Sequence, residues 1–329
     1  MVWMLRKIRV VPLADESFGV RSMCTYVETP DLRILLDAGV SLAPNRFGFP
    51  PHSREYEAIA ECREKIAEAS EKAEVVTLSH YHFDHHTPSY VDWFCNWSSP
   101  DVAKQIYEGK IVLVKSYRDM VNFSQRRRGW MFQKTGGKHA KILEIADGRT
   151  FDFGDTSVGF SEPVFHGPAD SMLGWILMTS IEYDGEKMLF ASDVQGPMCD
   201  TTLETILAEQ PQLIVIGGPP TYLSEFRVRE EHIALGMQNL EKLATTVPVV
   251  VLGHHLLRDK EWKQLSQPIF DAAKKSGHSV VPAAEFIGKE NSMLESRRKH
   301  LFELEPPEVD FERWMKLPLP KRKLVKPPI

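Results

Sequence analysis

The sequence predicts a layered α/β domain, and three observations carry that expectation. Residues 7–13, 20–29 and 32–36 are short runs of β-branched and aliphatic residues broken by turn formers, the pattern of successive strands. Further on, strand, helix, strand, helix and strand patterns alternate at 188–191, 201–209, 213–216, 229–243 and 249–252. Parallel strands need such crossovers, so this half reads as a parallel sheet. Finally, 329 residues at 43% apolar can fill one large core or two small ones.

The remaining elements follow in order. Residues 54–73 repeat Ala and Ile at helical spacing among Glu and Lys, which predicts a long polar helix. Val75-Val76-Thr77-Leu78 has the composition of a buried strand, and 111–114 repeats it. Residues 117–134 read as a basic helix or arm ending at Gly136-Gly137. Strands are expected at 151–160, 174–183 and 187–191, the last two joined by an Asp184-Gly185 turn. Trp93, Phe94 and Trp97 read as core. Residues 306–329, rich in Pro and Lys, read as an extended surface segment. With no repeat and no linker before Glu305, residues 1–305 are taken as one domain.

Composition narrows the function classes. A net charge of -5 argues against a protein built wholly to sheathe nucleic acid. No run approaches ~18 apolar residues, so no membrane span is expected. The start carries no signal-peptide pattern, and the four cysteines, Cys24, Cys62, Cys95 and Cys199, show no CxxC spacing. The expectation is a reduced, cytoplasmic protein. The anomaly is histidine, twelve in all, with four between His80 and His86.

That cluster reads Ser79-His80-Tyr81-His82-Phe83-Asp84-His85-His86 at the end of a buried strand. On an extended segment, histidines at i and i+2 point the same way, and a turn folds Asp84 and His85 back toward them. Imidazole and carboxylate together suit Zn, Fe or Mn, and one such turn can serve two adjacent ions.

The H-x-H-x-D-H run resembles that of the metallo-β-lactamase superfamily, and further motifs strengthen the resemblance. Asp37 stands in Leu35-Leu36-Asp37-Ala38-Gly39, His166 in Phe165-His166-Gly167-Pro168, Asp193 closes Phe190-Ala191-Ser192-Asp193, and His254-His255 follow Val251-Leu252-Gly253. The resemblance implies a four-layer αββα sandwich. It also implies that His80, His82 and His166 bind one divalent ion and that Asp84, His85 and His254 (or His255) bind a second. Asp193 would bridge the two, and Asp37 would orient the site from behind. The implied cofactors are two ions, Zn ahead of Fe or Mn. The implied chemistry is hydrolysis by a hydroxide held between the ions, with Asp84 positioning it. His86 and Tyr222 are added as candidate substrate contacts, the latter in the loop Gly217-Gly218-Pro219-Pro220-Thr221-Tyr222. Thr87-Pro88 follows the cluster where the family often has Gly, a departure that touches substrate class more than metal binding.

The expected substrate is a small anionic molecule: a phosphoester, phosphodiester or lactone. One alternative is a nuclease guided by Arg126-Arg127-Arg128 in a basic, aromatic stretch at 118–141. Another is a metal-retaining scaffold that engages partners through its basic tail. Arg258 reads as solvent-exposed ahead of an anion contact, and oligomeric state is not legible.

Overall fold

The computed structural model describes residues 5–169, 171–223 and 228–329. Met1 to Met4, the start of the leading segment considered above, lie outside them. The first sheet takes its strands in chain order: β1 (Arg9–Pro12), β2 (Thr25–Glu28), β3 (Arg33–Leu36), β4 (Val75–Leu78), β5 (Ile111–Val114) and β6 (Ile142–Ile145). The pairs β1–β2 and β2–β3 are antiparallel, and those from β3 to β6 are parallel. Each parallel step is bridged by a helix: α1 (Ser53–Lys72), α2 (Pro100–Tyr107) and α3 (Phe123–Lys134).

The second sheet begins with β7 (Thr150–Phe153) and β8 (Thr156–Phe160). A small ribbon of β9 (Val164–Phe165) and β10 (Trp175–Ile176) stands apart from it. The sheet resumes with β11 (Thr179–Tyr183), β12 (Glu186–Ser192), β13 (Leu213–Gly217), β14 (Val249–Gly253) and β15 (Ser279–Pro282). Its order is β15-β14-β13-β12-β11-β8-β7, with β12 through β15 parallel. Helices α4 (Asp200–Ala208), α5 (Glu230–Thr246), α6 (Trp262–Leu265) and α7 (Gln267–Lys275) make the crossovers, and α8 (Ala283–Phe286) follows β15.

Strand periodicity divides the apolar residues into three cores. In β13, Leu213 and Val215 point between the sheets, while Ile214 and Ile216 point outward. In β4, Val75 points between the sheets and Val76 and Leu78 point outward. The middle core joins Val27, Ile34 and Val75 to Ile181, Met188 and Val251. One outer core packs β4 and β5 on Tyr56, Ile59 and Ile66 of α1. The other packs β13 and β14 on Leu203, Leu240 and Ile269. Helix, sheet, sheet and helix therefore form the four-layer αββα sandwich implied by the sequence motifs.

Two expectations need correction. The run 151–160 is a hairpin, because Gly154 turns the chain with φ +62°. Residues 306–329 are not extended: after α9 (Arg298–Leu304) come α10 (Val309–Met315) and α11 (Leu319–Leu324). Phe311 and Trp314, three residues apart on one helical face, bury themselves against Tyr56. Trp314 Nε1 donates to the Val325 carbonyl at 2.9 Å, and the Arg322 and Lys326 cations rest on the rings of Phe94 and Trp93 at 4.5 Å. The basic tail is thereby docked on the domain's own aromatics. Among the described residues no helix is long and apolar enough to cross a membrane.

Candidate metal centre

Three strand ends meet at one edge of the sandwich. The chain leaves β4 at Leu78, β12 at Ser192 and β14 at Gly253; Asp193 and His254 follow directly, and His80 follows after Ser79. Residues 79–81 bend rather than continue the strand, and a turn closes with His85 N and His86 N both donating to the His82 carbonyl at 3.0 and 3.1 Å. Gly39 lets this turn pack close, since a Cβ there would lie 2.3 Å from His86 N. Asp37, Ser192 and His254 all have φ between +41° and +62°, an unfavourable left-handed backbone that persists where the surroundings over-determine it.

The predicted residues come together. The donor atoms of His80, His82, His166 and Asp193 lie within 4.8 Å of one another, as do those of Asp84, His85 and His254, and those of Asp193, His254 and His255. His82 Nδ1 stands 3.1 Å from His80 Nε2 and 3.2 Å from His166 Nε2. Asp193 Oδ2 is 3.5 Å from His166 Nε2, 3.1 Å from His254 Nε2 and 3.9 Å from His85 Nε2, so it faces both groups. Its Oδ1 is buried and has no hydrogen-bond partner among the described residues. A tetrahedral ion with Zn–N bonds of ~2.0–2.1 Å holds its ligands roughly 3.4 Å apart, which matches this spacing. Burial, reinforced by neighbouring histidines, pushes His80 and His82 well below the usual imidazole range, and burial lowers His166. Neutral rings are the metal-binding form. The donor set therefore fits divalent ions.

The groups behind the centre settle the ring protons. Asp37 Oδ1 accepts from Ser79 N at 2.7 Å, and its Oδ2 accepts from Ser79 Oγ, Ser192 Oγ and His85 Nδ1 at 2.5, 2.8 and 2.9 Å. Ser79 Oγ, its own proton given to Asp37, accepts from His80 Nδ1 at 3.0 Å. Both rings thus turn an Nε2 lone pair inward. For His166, Gln195 Nε2 stands 3.4 Å from Nδ1 while Gln195 Oε1 is buried without a partner among the described residues; exchanging the two ends of the amide pairs that oxygen with an Nδ1–H and turns the His166 Nε2 lone pair inward as well.

His254 and His255 differ in what they face. His254 Nδ1 is 3.2 Å from Glu16 Oε1 and 3.1 Å from Arg258 NH2, and the ring is fully buried. His255 Nδ1 faces donors, Arg258 NH1 at 3.1 Å and Tyr222 O–H at 3.3 Å, so its Nε2 carries the proton and donates to Asp193 Oδ2 at 3.3 Å. Burial opposes protonation of His254, but Asp193 and Glu16 outweigh it and raise the ring to about 10, a pull from two carboxylates that a bound cation would answer in place of the proton. Burial and Arg258 hold His255 down at about 3. Asp84, whose side chain is 18% exposed, is the carboxylate here that reaches solvent. Burial opposes its ionisation, yet His85, His254 and Arg258 keep it ionised.

His86 stands outside these groups. Its Nδ1 donates to the His82 carbonyl at 2.9 Å and its ring packs among Tyr81, Phe83 and Phe132, so it braces the turn. Of the three consecutive arginines, Arg128 approaches the centre, lying over the Phe83 ring at 4.5 Å; Arg126 and Arg127 are exposed. The solvent-exposed reading of Arg258 is corrected: it is 2% exposed and forms a 2.7 Å ion pair with Glu16. Sequence reasoning missed Glu16 and Gln195, which carry no motif. Ser79 and Ser192, each next to a predicted donor, were the available signal.

No family model matches the chain. It is 42% identical over 294 residues to a UPF0282 protein of Methanopyrus kandleri, covering 89% of this chain and 99% of that one. It is 39% identical over 308 residues to a UPF0282 protein of Korarchaeum cryptofilum, covering 93% and 99%. Solved structures of similar shape include an isothiocyanate hydrolase from Delia radicum gut bacteria (14% identity, 80% of this chain and 94% of that one, TM-score 0.47). Another is Tm1679, a metal-dependent hydrolase of the β-lactamase superfamily (12% identity, 83% and 94%, TM-score 0.43). Likenesses of that size lend no reaction to this chain.

Proposed function

The chain belongs to the UPF0282 family, and from its own site we propose that it is a dinuclear metal-dependent hydrolase of a small phosphoester, phosphodiester or lactone. One observation carries the reading: neutral imidazole nitrogens 3.1–3.2 Å apart converge with a carboxylate that has an unpartnered buried oxygen. With His80 Nδ1 turned to Ser79, its Nε2 lone pair faces His82 Nδ1, and a cation among these nitrogens would satisfy them together with the bare Asp193 oxygen.

His80, His82 and His166 would hold one ion, Asp84, His85 and His254 the second, with Asp193 between. His254 serves ahead of His255, because its donor nitrogen joins those of Asp84 and His85 within 4.8 Å, a group that His255 does not enter. Nitrogen and carboxylate donors suit Zn, with Fe or Mn as alternatives. When bound, such ions supply an acidified water near neutral pH and draw charge from a scissile carbonyl or phosphoryl group. Asp84, ionised and reaching solvent, accepts a hydrogen bond from the attacking water and orients it. Tyr222, its oxygen 3.5 Å from Arg258 NH1, can turn its one O–H from His255 Nδ1 to developing negative charge, since Arg258 NH1 still faces that nitrogen at 3.1 Å. Asp37, Ser79 and Ser192 hold the rings in the required tautomers throughout. Four free cysteines accord with a reducing cytoplasm.

A nucleic-acid substrate is the second reading, favoured by exposed Phe123 and Trp130 on α3 beside exposed Arg126 and Arg127. The experiment is a chelator-controlled panel of phosphoesters, phosphodiesters, lactones and single-stranded RNA. Turnover of a small substrate, abolished by chelator and restored by Zn, Fe or Mn, is expected. A metal-loaded protein inert across the panel would favour a scaffold.

A further inference from the structure

Beside the centre opens a cleft of about 1250 Å³, and His255, Arg258 and Tyr222 form the wall it shares with the metal donors. That space suits a substrate considerably larger than its reacting group. Three arginines, Arg21, Arg46 and Arg258, line it, but they are unequally satisfied. Arg258 is paired with Glu16 at 2.7 Å. Arg21 forks Glu295 with bonds of 2.6 and 2.5 Å. Arg46 has only the outer reach of that same carboxylate, at 3.9 Å, and spends NH2 on the Arg258 carbonyl at 3.2 Å. Among the described residues its Nε has no hydrogen-bond partner, although its side chain is only 16% exposed. A guanidinium this far from water and this weakly compensated favours an added anion.

The surroundings hold it in place. Arg46 and Phe49 exchange both backbone hydrogen bonds at 2.9 Å across Phe47 and Gly48, whose φ values of +57° and +83° make a tight hairpin turn. Phe47 and Tyr222 rings lie against the guanidinium carbon at 4.6 and 4.2 Å. Stacking on ring faces leaves NH1, which has no hydrogen-bond partner among the described residues, and the second N–H of NH2 for a planar or tetrahedral oxyanion, and little ordering entropy remains to be lost on binding. Tyr222 also approaches His255, so one residue touches both the cation and the wall of the centre.

We propose that this cleft recognises an anionic oxygen group of the substrate, a carboxylate or phosphate carried apart from the bond that is cleaved, and that Arg46 selects it. The word substrate rests on the hydrolase reading; the anion site itself does not. The test is calorimetric binding at low ionic strength with inorganic phosphate, succinate and the neutral 1,4-butanediol. The proteins are the wild type, Arg46→Gln, Arg46→Lys and the His82→Ala/Asp193→Ala double variant. The wild type is expected to bind at least one anion and not the diol, and which anion binds distinguishes phosphate from carboxylate. Arg46→Gln should weaken binding at least tenfold, with Arg46→Lys intermediate because the charge remains and the fork is lost. The double variant should retain the Arg46-dependent binding without the ions, which would themselves draw an anion, and its metal content bears on the hydrolase reading alone. Should the double variant fail to fold, the comparison of wild type with the two Arg46 variants decides. No anion binding by the wild type, or equal binding by Arg46→Gln, overturns the proposal.

Discussion

Asp37 and His85 form a buried pair in which Oδ2 accepts from Nδ1 at 2.9 Å, and this bond decides which nitrogen of the ring faces the centre. The same oxygen takes protons from Ser79 and Ser192, so one carboxylate orders two strand ends and two rings. Asp37→Asn puts donors where only acceptors fit. Metal affinity is predicted to fall by ~10–100-fold with the fold retained, measured by titration against a competing chelator. Unchanged affinity would remove Asp37 from this role.

Arg63 supports the same loops from α1. Its hydrogen bonds among the described residues run to neutral acceptors: the Ala38 carbonyl at 3.4 Å, Thr87 Oγ1 at 2.7 Å and the Asn96 carbonyl at 3.0 Å. Burial lowers this guanidinium to about 10. Ala38 follows Asp37 and Thr87 follows His86, so the helix is tied to both segments of the centre. Arg63→Ala is predicted to cost roughly 2–4 kcal/mol in urea unfolding, because buried acceptors lose a charged donor. A loss below about 0.5 kcal/mol would contradict this.

The donors were legible because metal chemistry admits few residue types and strand ends place them at short spacings. His80, His82 and Asp84 advertise themselves within one turn. Glu16 and Arg258 do not: they lie 242 residues apart, and ordinary charged residues carry no mark of the partner that buries them. The parallel half was legible from the strand and helix patterns that alternate over 188–252, and the four layers from the resemblance that the His and Asp motifs carry. The tail was not, because Pro and Lys dominate its composition while two aromatics, Phe311 and Trp314, decide its packing.

Glu295 gives the account a pH signature. Burial alone would raise its carboxyl; Arg21, with Arg258 and Arg298, instead holds it at about 2 against an ordinary 4.5. A depressed folded value contributes stability above the unfolded value and loses it as pH falls through the folded one. Wild type should therefore lose stability relative to Glu295→Gln between about pH 4.5 and 2, by up to a few kcal/mol, in unfolding curves compared across that window. Parallel curves would contradict the assignment.

The small-substrate reading and the nuclease reading separate on salt. If α3 guides RNA, binding of a single-stranded oligonucleotide should fall steeply with added salt and weaken further in Arg126→Ala/Arg127→Ala. The small-substrate account predicts no measurable RNA binding at physiological salt. Tight, salt-sensitive binding would favour the nuclease.

The central claim is a two-ion centre built on His82 and Asp193, and metal content tests it most directly. The wild type, purified without chelator, is predicted to carry about two transition-metal ions per chain, and His82→Ala/Asp193→Ala to lose most of them. Full metal content in the double variant would contradict the account.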